Sequence, residues 1–443
     1  MRTVLNHFGN SACRADATLG EKDVACALRA HWLSGISALF IAGVALTGCG
    51  PQQQAGDVSQ DKQQQKKITA PQDKPLASFQ TNLLQTAFDV ATAIPIVPHI
   101  KDRSKAQEAV STLSFELDQP QRALGYIEKI GDWRRGAGYA DYAFYCAQHG
   151  VTNQVQHYLD LAAQIAEIAD QDWRRDRIKI KISRTHTLLG QSEQAGKFET
   201  GVEIAESGKV ARVEAMLCSE NEFAEQMTAT EALVASGNFD LVRNALYVYT
   251  ELFNRFYDNT DRRAKTEEKI KSSWNPLPVF IRIELLMELT KFSFSHNDSS
   301  EALRLTSEAK EIFDGAAWKP QHGVPLMARL AALRFRCGET NAARTELRRT
   351  LDLFTEKQAE IINIDKAKTL IPVAEAFQIT GDVAGALAVY KPAVEAAIEN
   401  PNSRPRAEDL SAICLSMAKH NIEPDEVLWA RIREIKANLG DPW

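Results

Sequence analysis

From about Phe79 to the C-terminus, apolar residues recur at spacings of three and four, separated by short breaks that carry Gly, Asp or Asn. That period marks amphipathic α-helices, and the strict alternation of strands is nearly absent. The pattern predicts an all-α body of antiparallel helix pairs. Its turn centres fall at Asp118, Gly150, Gly190, Gly237, Asn297, Gly338 and Gly381. One stretch differs: residues 257–278 contain DNTDRRAKTEEKIKSSWNPLP, which is polar, long and closed by two prolines. It is expected to interrupt the array, leaving an N-terminal half at 79–256 and a C-terminal half at 279–443.

The best-formed unit is Leu370 to Ala397, where Ala374 and Phe377 precede the Gly381-Asp382 turn and Ala386, Tyr390 and Ala393 follow it. This unit resembles a tetratricopeptide repeat (TPR). The resemblance implies that Ala374, Ala386 and Ala393 sit where two helices cross closely and that Phe377 and Tyr390 fill the holes beside them. The same layout recurs more weakly around the other turns. The turns are spaced at roughly 32 to 60 residues, whereas a strict TPR array keeps about 34, so the body is TPR-like. The resemblance implies a right-handed α-solenoid of antiparallel helix pairs, an architecture that leaves an extended surface for a partner.

A second internal signal is the run Asp132-Trp133-Arg134-Arg135, which returns as Asp172-Trp173-Arg174-Arg175 after 40 residues, each copy at the same distance from its turn glycine. Asp at this point can cap the next helix, worth about 1 kcal/mol. The Trp and Arg side chains have two readings. They are either interface residues, as Trp and Arg often are, or packing wedges between repeats with the arginines solvated. Tyr139, Tyr142 and Tyr145 follow each other at spacing three and either line a concave groove or belong to the core. The candidate partner-binding residues are therefore Trp133, Arg134, Tyr142, Trp173 and Arg174.

Ahead of the body lies the charge-free run Trp32 to Leu46, about 15 residues and short of the ~20 that a membrane-spanning helix needs. Lys22 and Arg29 precede it, and it ends in Leu46-Thr47-Gly48-Cys49. That ending resembles the lipobox of bacterial lipoproteins. The resemblance implies a signal segment over 1–48, cleavage before Cys49, and lipid on the Cys49 thiol. The long stretch before Arg29 points to a translation start downstream of Met1, at Val24 or Leu28. The alternative is a lone cysteine at the end of a short membrane anchor. Residues 49–78 are rich in Gln, Lys, Asp and Pro, the composition of a disordered tether.

Composition adds exclusions. With 52 Lys and Arg against 58 Asp and Glu, a net charge of -6 and no dense basic block, a nucleic-acid footprint is missing. Cys146, Cys218, Cys337 and Cys414 are dispersed, each inside a predicted helix, and are expected to be buried free thiols rather than metal ligands. His149 and His157 are the only close histidine pair in the body and straddle a turn, so no metal site is expected. No phosphate-binding loop, zinc-protease helix or nucleophile elbow occurs, and no cofactor is expected. These readings together predict an extracytoplasmic, lipid-anchored scaffold or adaptor in the cell envelope, whose partners are other envelope proteins or peptides. The alternative from another class is an envelope glycan-acting enzyme with a helical-toroid architecture, which needs carboxylates clustered in a deep cleft. A solute-binding lipoprotein is disfavoured because such proteins alternate strands and helices.

Overall fold

Local backbone chemistry sets the repeat. At Asp118, Gly150, Gly190, Gly237, Asn297, Gly338 and Gly381 the backbone takes positive φ, as it also does at Asn421. A residue in that left-handed conformation ends a helix by letting the following N–H reach back five residues to an orphan carbonyl. Such bonds run from Gln119 to Ser114, Val151 to Cys146, Gln191 to His186, Asp298 to Ser293, Glu339 to Arg334, Asp382 to Phe377 and Ile422 to Met417, at 2.8–3.0 Å. Asp298, Asp382 and Asp425 then cap the helices that follow through backbone N–H groups of Glu301, Gly385 and Leu428.

The computed structural model describes residues 70–443 apart from 204 and 205, all inside one compact unit. The lipobox-like run Leu46, Thr47, Gly48 and Cys49, the expected signal segment, and residues 49–69 of the expected tether lie outside the described residues. Among the described residues there are nineteen α-helices and no strand, so the chain is all-α. They are α1 Ser78–Ala93, α2 Ile96–Glu116, α3 Pro120–Ile127, α4 Arg134–Gln148, α5 Val155–Glu167, α6 Asp172–Leu188 and α7 Ser192–Glu199. Next come α8 Gly208–Leu217, α9 Phe223–Ala235, α10 Phe239–Arg255, α11 Thr260–Ser273, α12 Val279–Ser295 and α13 Ser299–Asp314. The last are α14 Pro320–Arg336, α15 Thr340–Lys357, α16 Asn363–Ile379, α17 Val383–Ile398, α18 Ser403–Lys419 and α19 Glu426–Ala437.

Hairpin partners pack side by side, α2 with α3, α4 with α5, α6 with α7, α10 with α11, α12 with α13, α14 with α15 and α16 with α17. Each even-numbered helix from α2 onward also packs on the next, as far as α18. The array does not stop there. α18 takes α1 as its hairpin-like partner and also touches α2, which closes the circuit of helices. Gln80 donates to the Ala418 carbonyl at 2.9 Å across this seam. One hydrophobic core cluster joins Leu83, Leu84, Phe88 and Val110 to Leu410, Cys414 and Met417.

Several expectations change. The polar stretch 257–278 is not an interruption, because it holds α11, which buries Thr266 and Ile270 against α10. A core cluster runs straight across it, from Phe253 and Tyr257 through Ile270 and Trp274 to Ile281. The division into halves at 79–256 and 279–443 fails for the same reason, and because α1 and α2 share their core with α14–α18. The end of the expected tether is fixed rather than loose. Lys74 N–H donates to the Asp118 carbonyl at 2.9 Å, and Gln121 donates to the Pro71 carbonyl at 3.0 Å. Cys146 and Cys414 lie inside helices, but Cys218 and Cys337 fall one residue beyond α8 and α14; all four thiols are free. Among the described residues, no helix is long and apolar enough to cross a membrane.

Candidate functional site

The motif that returns after 40 residues buries its Trp and first Arg in the first copy and leaves them partly exposed in the second. Trp133 and Trp173 meet edge to face, with ring centroids 5.3 Å apart, so each wedges against the next repeat. Trp133 is buried, and Trp173 is half-buried. Arg134 is not solvated. It is buried, pairs with Asp132 at 2.6 Å and Glu108 at 3.3 Å, and lies over the Trp133 ring. Arg174 stays at the surface, paired with Asp170 at 2.8 Å and set over Trp173. Asp132 accepts the Arg134 N–H at 3.0 Å, as a capping side chain does, but Asp172 is the first residue of α6 and pairs with Arg175 instead.

Tyr142 lines no groove. It is fully buried, packs edge-on against Tyr158, and its hydroxyl accepts from Gln121 at 2.9 Å. Tyr139 and Tyr145 are half-buried neighbours, with the Tyr145 hydroxyl donating to Asp118 at 3.1 Å. His149 stacks on Tyr145 and contacts its carbonyl through Nδ1 at 2.8 Å.

The chemistry gathers elsewhere, on one face of the even-numbered helices. On α6 the stripe is Arg177, Lys181 and Arg184; on α8, Lys209 and Arg212; on α10, Tyr247 and Glu251; on α12, Glu284, Glu288 and Lys291; on α14, Arg329. Spacings of three and four keep each set on one helix face. Ion pairs run between the stripes and along them. Asp141 of α4 takes both Lys181 and Arg184, the latter at 3.0 Å, and Glu206 takes Arg177 at 3.2 Å and Lys209 at 3.4 Å. Glu251 takes Arg212, Glu284 takes Arg329 at 3.3 Å, and Glu288 takes Lys291 at 2.8 Å.

The face is concave. Lys181 of α6 influences Glu108 of α2, Lys209 of α8 influences Asp141 of α4, and Glu288 of α12 influences Arg212 of α8. Each interaction skips one helix of the circuit, as converging side chains do, and the even-numbered helices pack on one another around the closed circuit while the odd-numbered ones pack chiefly on their even-numbered neighbours. These residues therefore form an inner wall.

Burial tunes the wall. It pushes the Glu251 and Glu284 carboxyls up, against the pull of Arg212 and Arg329, and neighbouring Glu288 adds to the rise. The Glu251 side chain is only 3% exposed, and its Oε2 is buried and accepts no hydrogen bond. Burial also opposes ionisation of Asp141, but Lys181 and Arg184 outweigh it and hold that carboxyl below its usual range. Lys209 is 43% exposed, yet enclosure by protein pushes its ammonium down to about 8, with Lys181, Arg177 and Arg184 adding to the fall.

Reading from motifs missed this wall, although a signal existed. In α12 the acids Glu284 and Glu288 and then Lys291 interrupt a helix that is otherwise mostly apolar, VFIRIELLMELTKFSFS, at spacings four and three. Charge on one face of a buried helix asks for partners on neighbouring helices. No protein-family model matches the chain, and no curated protein matches it either.

Proposed function

We propose that this chain is a lipid-anchored extracytoplasmic scaffold or adaptor whose helical array receives a segment of another envelope protein against its charged inner wall. One observation carries the binding part of the reading. Charged side chains form a continuous stripe from α4 to α14 on the converging face, and the Arg177 and Lys209 side chains are partly exposed. A face devoted only to packing would be apolar. A flat ring of nine helices spaced at about 8–10 Å would enclose an opening of roughly 15 Å once helix widths are removed. That width suits one extended segment better than a folded domain. The anchor rests on the lipobox-like Leu46-Thr47-Gly48-Cys49.

Proximity labelling from the anchored protein in its host tests the scaffold. The expected result is a reproducible set of envelope proteins whose labelling disappears when Lys291→Glu and Arg329→Glu reverse the wall charges; unchanged labelling defeats the reading. Cys49→Ser tests the address, and continued processing and acylation of that variant would contradict it.

A second reading, an envelope glycan-acting enzyme, is favoured by the raised carboxyls of Glu251 and Glu284 beside Glu288 within a closed helical circuit. Against it, each carboxylate already holds a cation, as in a structural ion-pair network. Incubation of the protein with isolated envelope glycan decides: fragments released by the wild type and abolished by Glu251→Gln would establish the enzyme, and none from the wild type would dismiss it.

A further inference from the structure

The inner wall is not uniform along its length. From α8 to α14, cations and carboxylates pair one to one: Arg212 with Glu251, Arg329 with Glu284, and Lys291 with Glu288. Around Lys209 the balance breaks. Four cations, Arg177, Lys181, Arg184 and Lys209, make direct ion pairs with only two carboxylates, Asp141 and Glu206; Lys181 also faces Glu108, which Arg134 already holds at 3.3 Å. We infer that this patch on α6 and α8 binds the carboxylate side chains of an extended acidic peptide segment, which rests on the scaffold reading and names the partner's chemistry.

Three features support the inference. The cationic heads are both held and reachable: Arg177 lies 5.1 Å from the Trp173 ring centroid, and Arg184 lies 3.9 Å from that of Phe144. Arginines seated on aromatic faces lose less conformational freedom when they take up a carboxylate. The Arg177 side chain is 47% exposed and that of Lys209 43%, so both can be reached from solvent although each also pairs with Glu206. Finally, like charge and enclosure make the protonated form of Lys209 costly, and an arriving anion relieves that cost. A dense polyphosphate fits less well, because Asp141 and Glu206 stand between the cations and repel it, whereas a peptide can place carboxylates beside them.

The test titrates hexaglutamate into the full-length protein at low salt and follows acylation of Lys209 by mass spectrometry. The inference predicts binding that weakens with salt, protection of Lys209, and at least a tenfold weaker affinity in Arg177→Gln/Lys209→Met. Lys357→Met, on α15 and outside the wall, should bind as the wild type does. Equal affinity in the double variant, comparable binding of hexalysine, or equal protection by inorganic phosphate would each overturn it. Should the double variant fail to fold, the wild-type footprint decides alone, and no protection at saturating hexaglutamate counts against the inference. Envelope proteins still captured by a wild type that ignores hexaglutamate would sink this inference and spare the scaffold reading; no capture at all would sink the scaffold reading itself.

Discussion

Tyr142 shows how a residue that could serve a surface is committed to the core. Its ring is enclosed by Tyr158 and Phe115, and its hydroxyl meets Gln121, whose side chain also ties down the Pro71 carbonyl. Tyr142→Ala should therefore cost about 3–5 kcal/mol of stability in denaturant unfolding, and Tyr142→Phe about 1 kcal/mol. A Tyr142→Ala protein of undiminished stability that had lost a partner would contradict the core assignment. Lys209 behaves differently, because its folded pKa is near 8 against an ordinary 10.5. Between those values the unfolded chain binds more protons than the folded one, so stability rises with pH across the window from about 8 to 10.5. Lys209→Met should flatten that rise and leave the fold intact at neutral pH; a wild type with no such slope, measured by unfolding at stepped pH, would count against the enclosed setting of Lys209.

At the scale of the helix, the repeat rests on its turns. Gly381 at φ 78° lets Asp382 N–H reach the Phe377 carbonyl at 2.9 Å. Gly381→Ala should cost about 1 kcal/mol by forcing a Cβ into that conformation, seen as a lower unfolding midpoint with unchanged helicity. All seven turn centres were legible in the sequence because left-handed termination is local: it needs only Gly, Asn or Asp at the right point of an apolar period. Asn421 was missed because no repeat was recognised after it. The helix α11 was illegible for the opposite reason, since burying only Thr266 and Ile270 along its length leaves too thin an apolar stripe to register as periodic. Gly138 of α4 is a second backbone demand, as a Cβ there would stand 2.8 Å from the Ile127 side chain. Gly138→Val should destabilise by roughly 1–3 kcal/mol, and a neutral result would mean that α3 and α4 are free to separate.

At the scale of the molecule, the decisive fact is non-local. The sequence shows that helices stack but not that the stack returns to its start, because that depends on contacts more than 300 residues apart: Gln80 with Ala418, Lys419 with Glu116 at 2.7 Å, Lys436 with Asp89 at 2.6 Å. The charged wall was hidden likewise, since Glu284 and Glu288 acquire meaning only when Arg212 and Arg329 arrive from other helices. The seam also holds His420, kept below its ordinary pKa by burial and by neighbouring Lys419, with Glu375 pulling the other way. A lowered folded pKa means that the unfolded chain takes the proton first, so stability should fall as pH drops below about 6.5. His420→Gln should remove part of that loss in acid unfolding curves.

Closure turns a stack of helices into an enclosed, charged wall, and it can be measured directly. Spin labels at Asn82 on α1 and Asn421 beyond α18, both exposed, report the distance across the seam in pulsed electron spin resonance. A closed circuit places them within roughly 25 Å, label arms included. An open array of nine helix layers at about 8–10 Å each would hold them some 60 Å or more apart, and a distance in that range would contradict the closed array.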